Sequence, residues 1–407
     1  MATYKEQNKL NVPHLRFPEF HGEWGVSTIG EQFDLYSGNT PSRLNKEHFE
    51  GNVNWITSGE LKEHYISDTK EKISEDAATA NNLKLLHPGT FVIAIYGLEA
   101  DGVRGTGSIT CKESTISQAC MAFTQKGDVK NEFLYSWYKK HGNIIGIKYA
   151  QGTKQQNLSY DILEKFHIAY PSQDEQDKLI KFISLLDERI ASQSKLIEDL
   201  KKLKSAIIEN VFDDKHSERL QLDNVGSYIR GLTYSSNDVV EHGGTLVMRS
   251  NNIVNGSLLD YNNNVVFVNK QMSAEQQLQN GDIVICMANG SSSLVGKSSF
   301  YDGNWHSPIT VGAFCGIYRS KEPIVKWLFQ TNKYRRYIWN SLQGGNGAIA
   351  NLNGEDILNM SFSIPNAPIK DTCVKMLTSV DSALENNISL CALYTLQKQY
   401  LLRQMFI

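Results

Sequence analysis

The sequence predicts an α+β protein in which two globular domains with strongly curved β-sheets alternate with two long helices packed as an antiparallel coiled coil. Three observations carry this reading. A heptad pattern occurs twice. An offset of 192 to 195 residues relates the segments that surround it. Short β-branched and aromatic runs, bounded by Gly, Asn and Asp, dominate both intervening parts.

The helices come first because their signal is clearest. From Leu179, apolar residues step by four and three through Ile183, Leu186, Ile190, Ile197, Leu200 and Ile207 to Val211. That is the seam of a coiled coil. Gln193 and Lys204 interrupt it. Moving 194 residues along (Leu179 to Cys373) returns Leu377, Val380, Leu384, Cys391, Tyr394, Leu401 and Met405. Both interruptions stay in register, as Asn387 and Lys398. Asp187 corresponds to Asp381, and Phe212 to Phe406. Pro171, Ser172 and Glu175 have the spacing of a capping box at the first helix start. The helix should run to Phe212, roughly 60 Å at 1.5 Å per residue. A polar stretch from Asp213 to Ser217 follows, and the second helix begins near Pro368. The boundaries are therefore 1–171 and 213–365 for the domains, 172–212 and 366–407 for the helices. A globular domain lies between the helices, so an antiparallel pair is the simplest packing.

The domains repeat more faintly. Asn54-Trp55-Ile56-Thr57-Ser58-Gly59 aligns with Val247-Met248-Arg249-Ser250-Asn251-Asn252. Pro88 to Ile93 aligns with Asn280 to Ile285, Phe133-Leu134-Tyr135 with Trp327-Leu328-Phe329, and Asp161-Ile162-Leu163 with Asp356-Ile357-Leu358.

Composition narrows the function. Hydrophobic residues make up 41% and charged residues 21%, a globular balance. No apolar run is long enough to span a membrane, and the first ten residues lack a signal core. The six cysteines form no Cys-x-x-Cys pair, so neither a zinc site nor a disulfide framework is indicated, and a reducing cytoplasm is the simplest setting. A net charge of −3 argues against coating nucleic acid by charge alone. Binding would rest on local loops.

Those loops hold the candidate contacts. Thr57 and Ser58 follow one strand, and Arg249, Ser250, Asn251 and Asn252 follow its counterpart. Such side chains meet base edges and phosphates, and they also build turns. The glycine-rich stretch from Tyr96 to Gly107 holds Arg104, suited to a guanine edge or a phosphate. Its counterpart holds Asn289, Ser291 and Lys297. Gln151 to Asn157, with Thr153, Lys154, Gln155 and Gln156, corresponds to Gln343 to Gly347, with Asn346. Lys333, Arg335 and Arg336 form a basic cluster with Tyr334 and Tyr337, read as a solvated helix face that is also suited to phosphates. Gly290 to Ser298 mimics a phosphate-binding loop but carries five residues between its glycines where that loop has four. No methyltransferase Asn/Asp-Pro-Pro-Tyr/Phe run, His-Glu-x-x-His or Gly-x-Ser-x-Gly is present. A nucleotide-binding enzyme using Lys297 and a scaffold without DNA are the rival readings.

The lead-in Val12-Pro13-His14-Leu15-Arg16-Phe17-Pro18 with Phe20 and Trp24 resembles the N-terminal segment of type I restriction-modification specificity subunits. Pro171, Glu175-Gln176, Ile180, Leu186 and Asp187 resemble that family's helix-opening signature. The second copy has Ile369-Lys370 where the first has Glu175-Gln176, but retains Pro365, Val380 and Asp381. The resemblance covers nearly the whole chain. It implies a non-catalytic subunit whose two target recognition domains each read half of an asymmetric bipartite site in double-stranded DNA, with the helices setting the gap. It also implies two methyltransferase subunits and restriction (motor-nuclease) subunits as partners, adenine as the methylated base, and no cofactor on this chain. S-adenosylmethionine, ATP and Mg2+ would sit on the partners.

Overall fold

A computed structural model describes residues 11–407 except 101, 153–155, 214–217, 262 and 343–349. The chain forms two compact units. One comprises residues up to Ser194 together with Ser389–Ile407, the other Lys195–Ile388. Each unit thus contains one globular domain, half of the first long helix and half of the second.

In the first unit the main sheet has the order Phe33–Ser37, Cys120–Gln125, Phe91–Ala94, Gly107–Thr110, Tyr65–Ile66, antiparallel except at the last pair. A second sheet has the order Lys72–Ile73, Val53–Ile56, Ser114–Ile116, with the last pair parallel. The second unit repeats this plan. Its main sheet runs Gly226–Arg230, Cys315–Ser320, Ile283–Cys286, Ser298–Phe300. Its second sheet runs Val239–Val240, Val266–Val268, Thr245–Met248, Ile309–Val311, again with a parallel final pair. Each domain thus carries a main sheet and a second sheet, with two-stranded pairs beside them. Phe91–Ala94 and Ile283–Cys286 are unbroken apolar runs buried along their whole length, with no solvent face to alternate towards.

The strand before each long helix returns to the start of its domain. His167–Tyr170 pairs with Gly25–Thr28, and Ser361–Ile364 with Glu218–Gln221. The corresponding triplets Phe133-Leu134-Tyr135 and Trp327-Leu328-Phe329 fill the two cores. In the first unit they open one helix, Asn131–Tyr149. In the second the helix is divided into Val325–Leu328 and Asn332–Leu342, where the Thr331 hydroxyl accepts from the Tyr334 amide and restarts it.

The long helices span Gln173–Val211 and Ala367–Met405, 39 residues each. Glu175 does not serve as the expected cap. Both of its carboxylate oxygens accept from the Arg16 guanidinium, at 2.8 and 2.6 Å, in a nearly closed site. The fully buried Gln176 accepts from the Lys130 amide and donates to the Asp128 and Pro171 carbonyls. These contacts lock the helix start onto its domain. In the second copy Lys370, which replaces the glutamine, pairs with Glu322 at 3.2 Å.

Within each unit the N-terminal half of one helix lies against the C-terminal half of the other. Leu179 and Ile183 share a core with Leu402, Met405 and Phe406; Ile208 and Val211 share another with Cys373 and Leu377. The lysines that interrupt the seam have acidic partners. In the second unit Lys204 pairs with Asp381 at 2.7 Å, both nearly fully buried, and donates to the Gly256 carbonyl at 2.9 Å. Lys326 at 2.8 Å and the Trp327 indole N–H at 3.0 Å complete the surroundings of Asp381. In the first unit Lys398 pairs with Asp187. Asp187 also meets His64 Nδ1 at 3.0 Å, and His64 Nε2 meets Glu132 at 2.9 Å. The imidazole is stacked between Tyr65 and Tyr135.

Burial opposes charging of His64, but the hydrogen bonds to Asp187 and Glu132 outweigh it and hold the imidazole above its ordinary value. Burial likewise opposes ionisation of Asp187, and His64 with Lys398 reverses that, keeping its carboxyl below the usual range. A raised folded-state value means that the His64 contribution is complete below pH 6.5 and fades as pH rises through the raised value. His64→Gln should therefore lower the Tm most near about pH 5.5, with the gap to wild type closing towards about pH 9. A gap independent of pH would refute this. Asp381→Ala should cost about 3–5 kcal/mol by stranding buried Lys204, and Asp381→Leu with Lys204→Met should recover most of it. Thermal denaturation of the three variants checks the coupling.

Candidate nucleic-acid interface

The two turns that follow the parallel-paired strands are built alike. In the first unit Thr57 donates to Glu60 from its amide at 2.9 Å and from its hydroxyl at 2.7 Å. In the second the Arg249 amide donates to the Asn252 side chain at 3.0 Å. Asn252 is fully buried, and its amide group also donates to the Asp260 and Asn263 carbonyls at 3.1 and 2.7 Å. Its side chain is spent on holding the turn, which corrects its place among the expected contacts. The Thr57 hydroxyl is committed in the same way. Ser58 is half-buried at the start of its turn, whereas Asn251 is exposed.

Around Arg249 the other candidates converge from separate segments. Asn289 donates to the Ser250 hydroxyl at 3.3 Å and accepts from the Ser291 amide at 3.0 Å. The Ser291 hydroxyl is 2.8 Å from that of Ser293. Arg249 donates through Nη2 to the Asn264 carbonyl at 2.9 Å. Its Nε is buried without a partner among the described residues. Arg249, Ser250 and Asn251 line a cavity of about 410 Å3 together with Tyr234, Gly312 and Phe314. Phe314 is 67% exposed. Sequence reasoning missed Tyr234 and Phe314. An aromatic beside the glycine of a strand-to-strand turn was the available signal.

In the first unit Arg104 and Gln156 are brought together from two loops, with Nη2 donating to the glutamine oxygen at 3.0 Å. The Gln156 amide donates to Glu99 at 2.7 Å and holds that carboxyl below the usual range. The Arg104 stem crosses Gly146, where a Cβ would lie 2.4 Å from Cγ. Gly146 thus positions Arg104 and went unnoticed in the sequence. Tyr96 is half-buried and packs on the core. Thr153, Lys154, Gln155 and Asn346 lie outside the described residues.

Lys297 is half-buried and belongs to no phosphate cradle. The amides of Leu294, Val295, Gly296 and Lys297 donate to the carbonyls of Ser291, Ser292, Cys286 and Leu294, at 2.8 to 3.3 Å. A strand, Ser298–Phe300, follows the loop where a nucleotide site would have a helix. Among the described residues no cluster of metal-ligating side chains occurs, and no helix is long and apolar enough to cross a membrane.

Residues 21–202 match the type I restriction modification DNA specificity domain. The MjaIX type I restriction enzyme specificity subunit of Methanocaldococcus jannaschii is 28% identical over 196 residues, 47% of this chain and 44% of the relative. The EcoKI specificity subunit of Escherichia coli is 35% identical over 155 residues, 36% of this chain and 31% of the relative. The chain thus spans less than half the length of these two relatives. The crystal structure of the type I restriction-modification S subunit from M. genitalium shares the fold, with a TM-score of 0.61 at 17% identity, covering 97% of this chain and 99% of that one. The sequence match thus covers the first domain and most of the first long helix, and nearly the whole chain shares the fold of a solved S subunit.

Asn252→Ala should cost about 1–3 kcal/mol, because the buried side chain is lost and three partly buried backbone groups lose their partner. Asn251→Ala should change stability by less than about 0.5 kcal/mol. Thermal or urea unfolding of the two neighbours separates the turn-holding residue from the exposed one, and equal losses would refute the distinction.

Proposed function

We propose that this chain is the DNA sequence-reading subunit of a type I restriction-modification complex and is itself non-catalytic. The domain at 1–171 reads one half-site, the domain at 213–365 reads the other, and the helices at 172–212 and 366–407 set the gap. One observation carries this reading. The same turn, closed by the side chain of its last residue, presents Thr57-Ser58 in one unit and Arg249-Ser250-Asn251 in the other. A shared frame with altered polar tips suits two readers of different sequences, so the target is asymmetric.

In the second half-site Arg249, Ser250, Asn251, Asn289 and Ser291 form the reading edge. Arginine suits a guanine edge and asparagine an adenine edge in the major groove. Arg104 and Gln156 serve the first half-site, joined by Ser58 and by Lys154 and Gln155. Lys297 and Asn346 supply backbone contacts in the second. Two methyltransferase subunits and the restriction subunits complete the assembly in the cytoplasm. S-adenosylmethionine, ATP and Mg2+ act on those partners, and adenine is the methylated base.

The test is co-purification with the methyltransferase subunit, followed by methylome sequencing of cells carrying both. The expected result is a bipartite motif that disappears without this chain. Arg249→Ala and Asn251→Ala should relax the motif at positions of one half-site, by about 1–3 kcal/mol of discrimination for each base no longer read, and leave the other half unchanged. No association with the methyltransferase, or methylation independent of this chain, would overturn the proposal.

A further inference from the structure

The second unit has another concave site, lined in part by Ser292 and Ser293 and sharing none of its described lining residues with the Arg249 cavity. It measures about 330 Å3 and lies between the Ser291–Ser293 loop and the helix Asn332–Leu342. Its apolar wall is formed by Ile338, Trp339 and Leu342, and Lys297 and Arg335 supply its cations. Three features set it apart from ordinary surface. Trp339 is 64% exposed, whereas Trp24, Trp55, Trp137 and Trp327 are all buried and Trp305 is stacked on Tyr261. The helix bears Lys333, Arg335 and Arg336 and no acidic residue, in a chain whose net charge is −3. The loop runs directly into the edge formed by Ser250, Asn289 and Ser291.

We infer that Trp339, Arg335 and Lys297 form a grip for the sugar–phosphate backbone of the DNA strand flanking the second half-site. The two cations take phosphates, and the face of the indole packs on a deoxyribose. A solvent-exposed indole in a cavity with two cations would otherwise leave a large apolar face in water. A free nucleoside phosphate fits less well, because the Ser291 amide and the four amides from Leu294 to Lys297 are already bonded within the protein. Backbone contacts fix position without reading sequence. The grip therefore adds affinity and leaves the choice of bases to the Arg249 edge. The proposal rests on the DNA-reading function above.

The experiment uses the full chain with its methyltransferase partner and two labelled duplexes, one bearing the methylated motif and one of scrambled sequence. Dissociation constants are measured across a salt series. Trp339→Ala should weaken both duplexes by roughly fivefold or more, on the scale of removing one aromatic side chain from a nucleic-acid interface, with their ratio unchanged. Arg335→Ala should reduce the slope of log K against log salt by about 0.9. DNA should shield wild-type tryptophan fluorescence from acrylamide, and Trp339→Phe should abolish that shielding while keeping the Tm. Wild-type affinity in both Trp339→Ala and Arg335→Ala would overturn the grip, as would loss of the motif preference with scrambled binding intact. Shielding of Trp339 by ATP or by the methyltransferase subunit, and not by DNA, would also overturn it. Failure of the wild-type complex to bind either duplex would instead remove the DNA-reading function itself, and the grip with it.

Discussion

The buried lysine–aspartate pair between helix halves is the contact on which both units depend. Lys204 and Asp381 are almost wholly removed from water in the second unit, and Lys398 and Asp187 are largely so in the first. Desolvating either charge alone costs several kcal/mol, so a shift of one helix along the other by a turn would strand both. Apolar seam residues tolerate such slippage far better, since leucine packs against leucine in several registers. The charges are thus a device for register, as polar residues at seam positions are in coiled coils. The aspartate lies on the first helix in one unit and on the second helix in the other. Duplication of the chain produces this exchange, just as twofold symmetry does in a dimer.

Around each pair the two domains have solved the same problem with different residues. Asp187 is approached by His64, stacked between two tyrosines, whereas Asp381 is approached by Lys326 and an indole N–H. The first arrangement includes a histidine whose charged form its carboxylate partners favour, and the second is not built around a histidine. At the first helix start, Arg16 and Gln176 tie helix and domain together; at the second, Lys370 pairs with Glu322. The frame is preserved while its fastenings change.

The same economy governs the proposed reading edge. Central strands buried on both faces leave no room for variation, so differences collect in the turns that leave them. A turn that closes on its own side chain, through Glu60 or Asn252, keeps its shape whatever its exposed tip carries. The hairpin tips contact their helices by different means. Gly105 has a φ of +73° and leaves no space for a Cβ beside the Asn143 amide, so the first tip sits directly on the helix backbone. In the second unit Gly296 meets the Ile338 side chain, and Trp339 stands exposed beside it.

Much of the architecture was legible in the sequence. The repeat, the long helices, the seam and its two polar interruptions, and the matched turns are all properties of order along the chain. Periodicity and offset report that order directly. The role of each polar residue was not legible. Glu175 has the spacing of a cap, yet Arg16, 159 residues away, claims it. Asn252 stands beside Asn251 in a run of contact-type residues, yet only Asn251 faces solvent. Lys204 interrupts an apolar seam, yet the buried Asp381 faces it. Side chains of one type serve as turn closures, buried partners or exposed contacts according to which distant segment arrives beside them. The sequence by itself determined the duplicated frame, because helical and strand periods are set locally by backbone geometry. Only the tertiary structure decided which polar groups remain free to meet a ligand, because burial and hydrogen-bond partnership are settled between segments far apart in the chain.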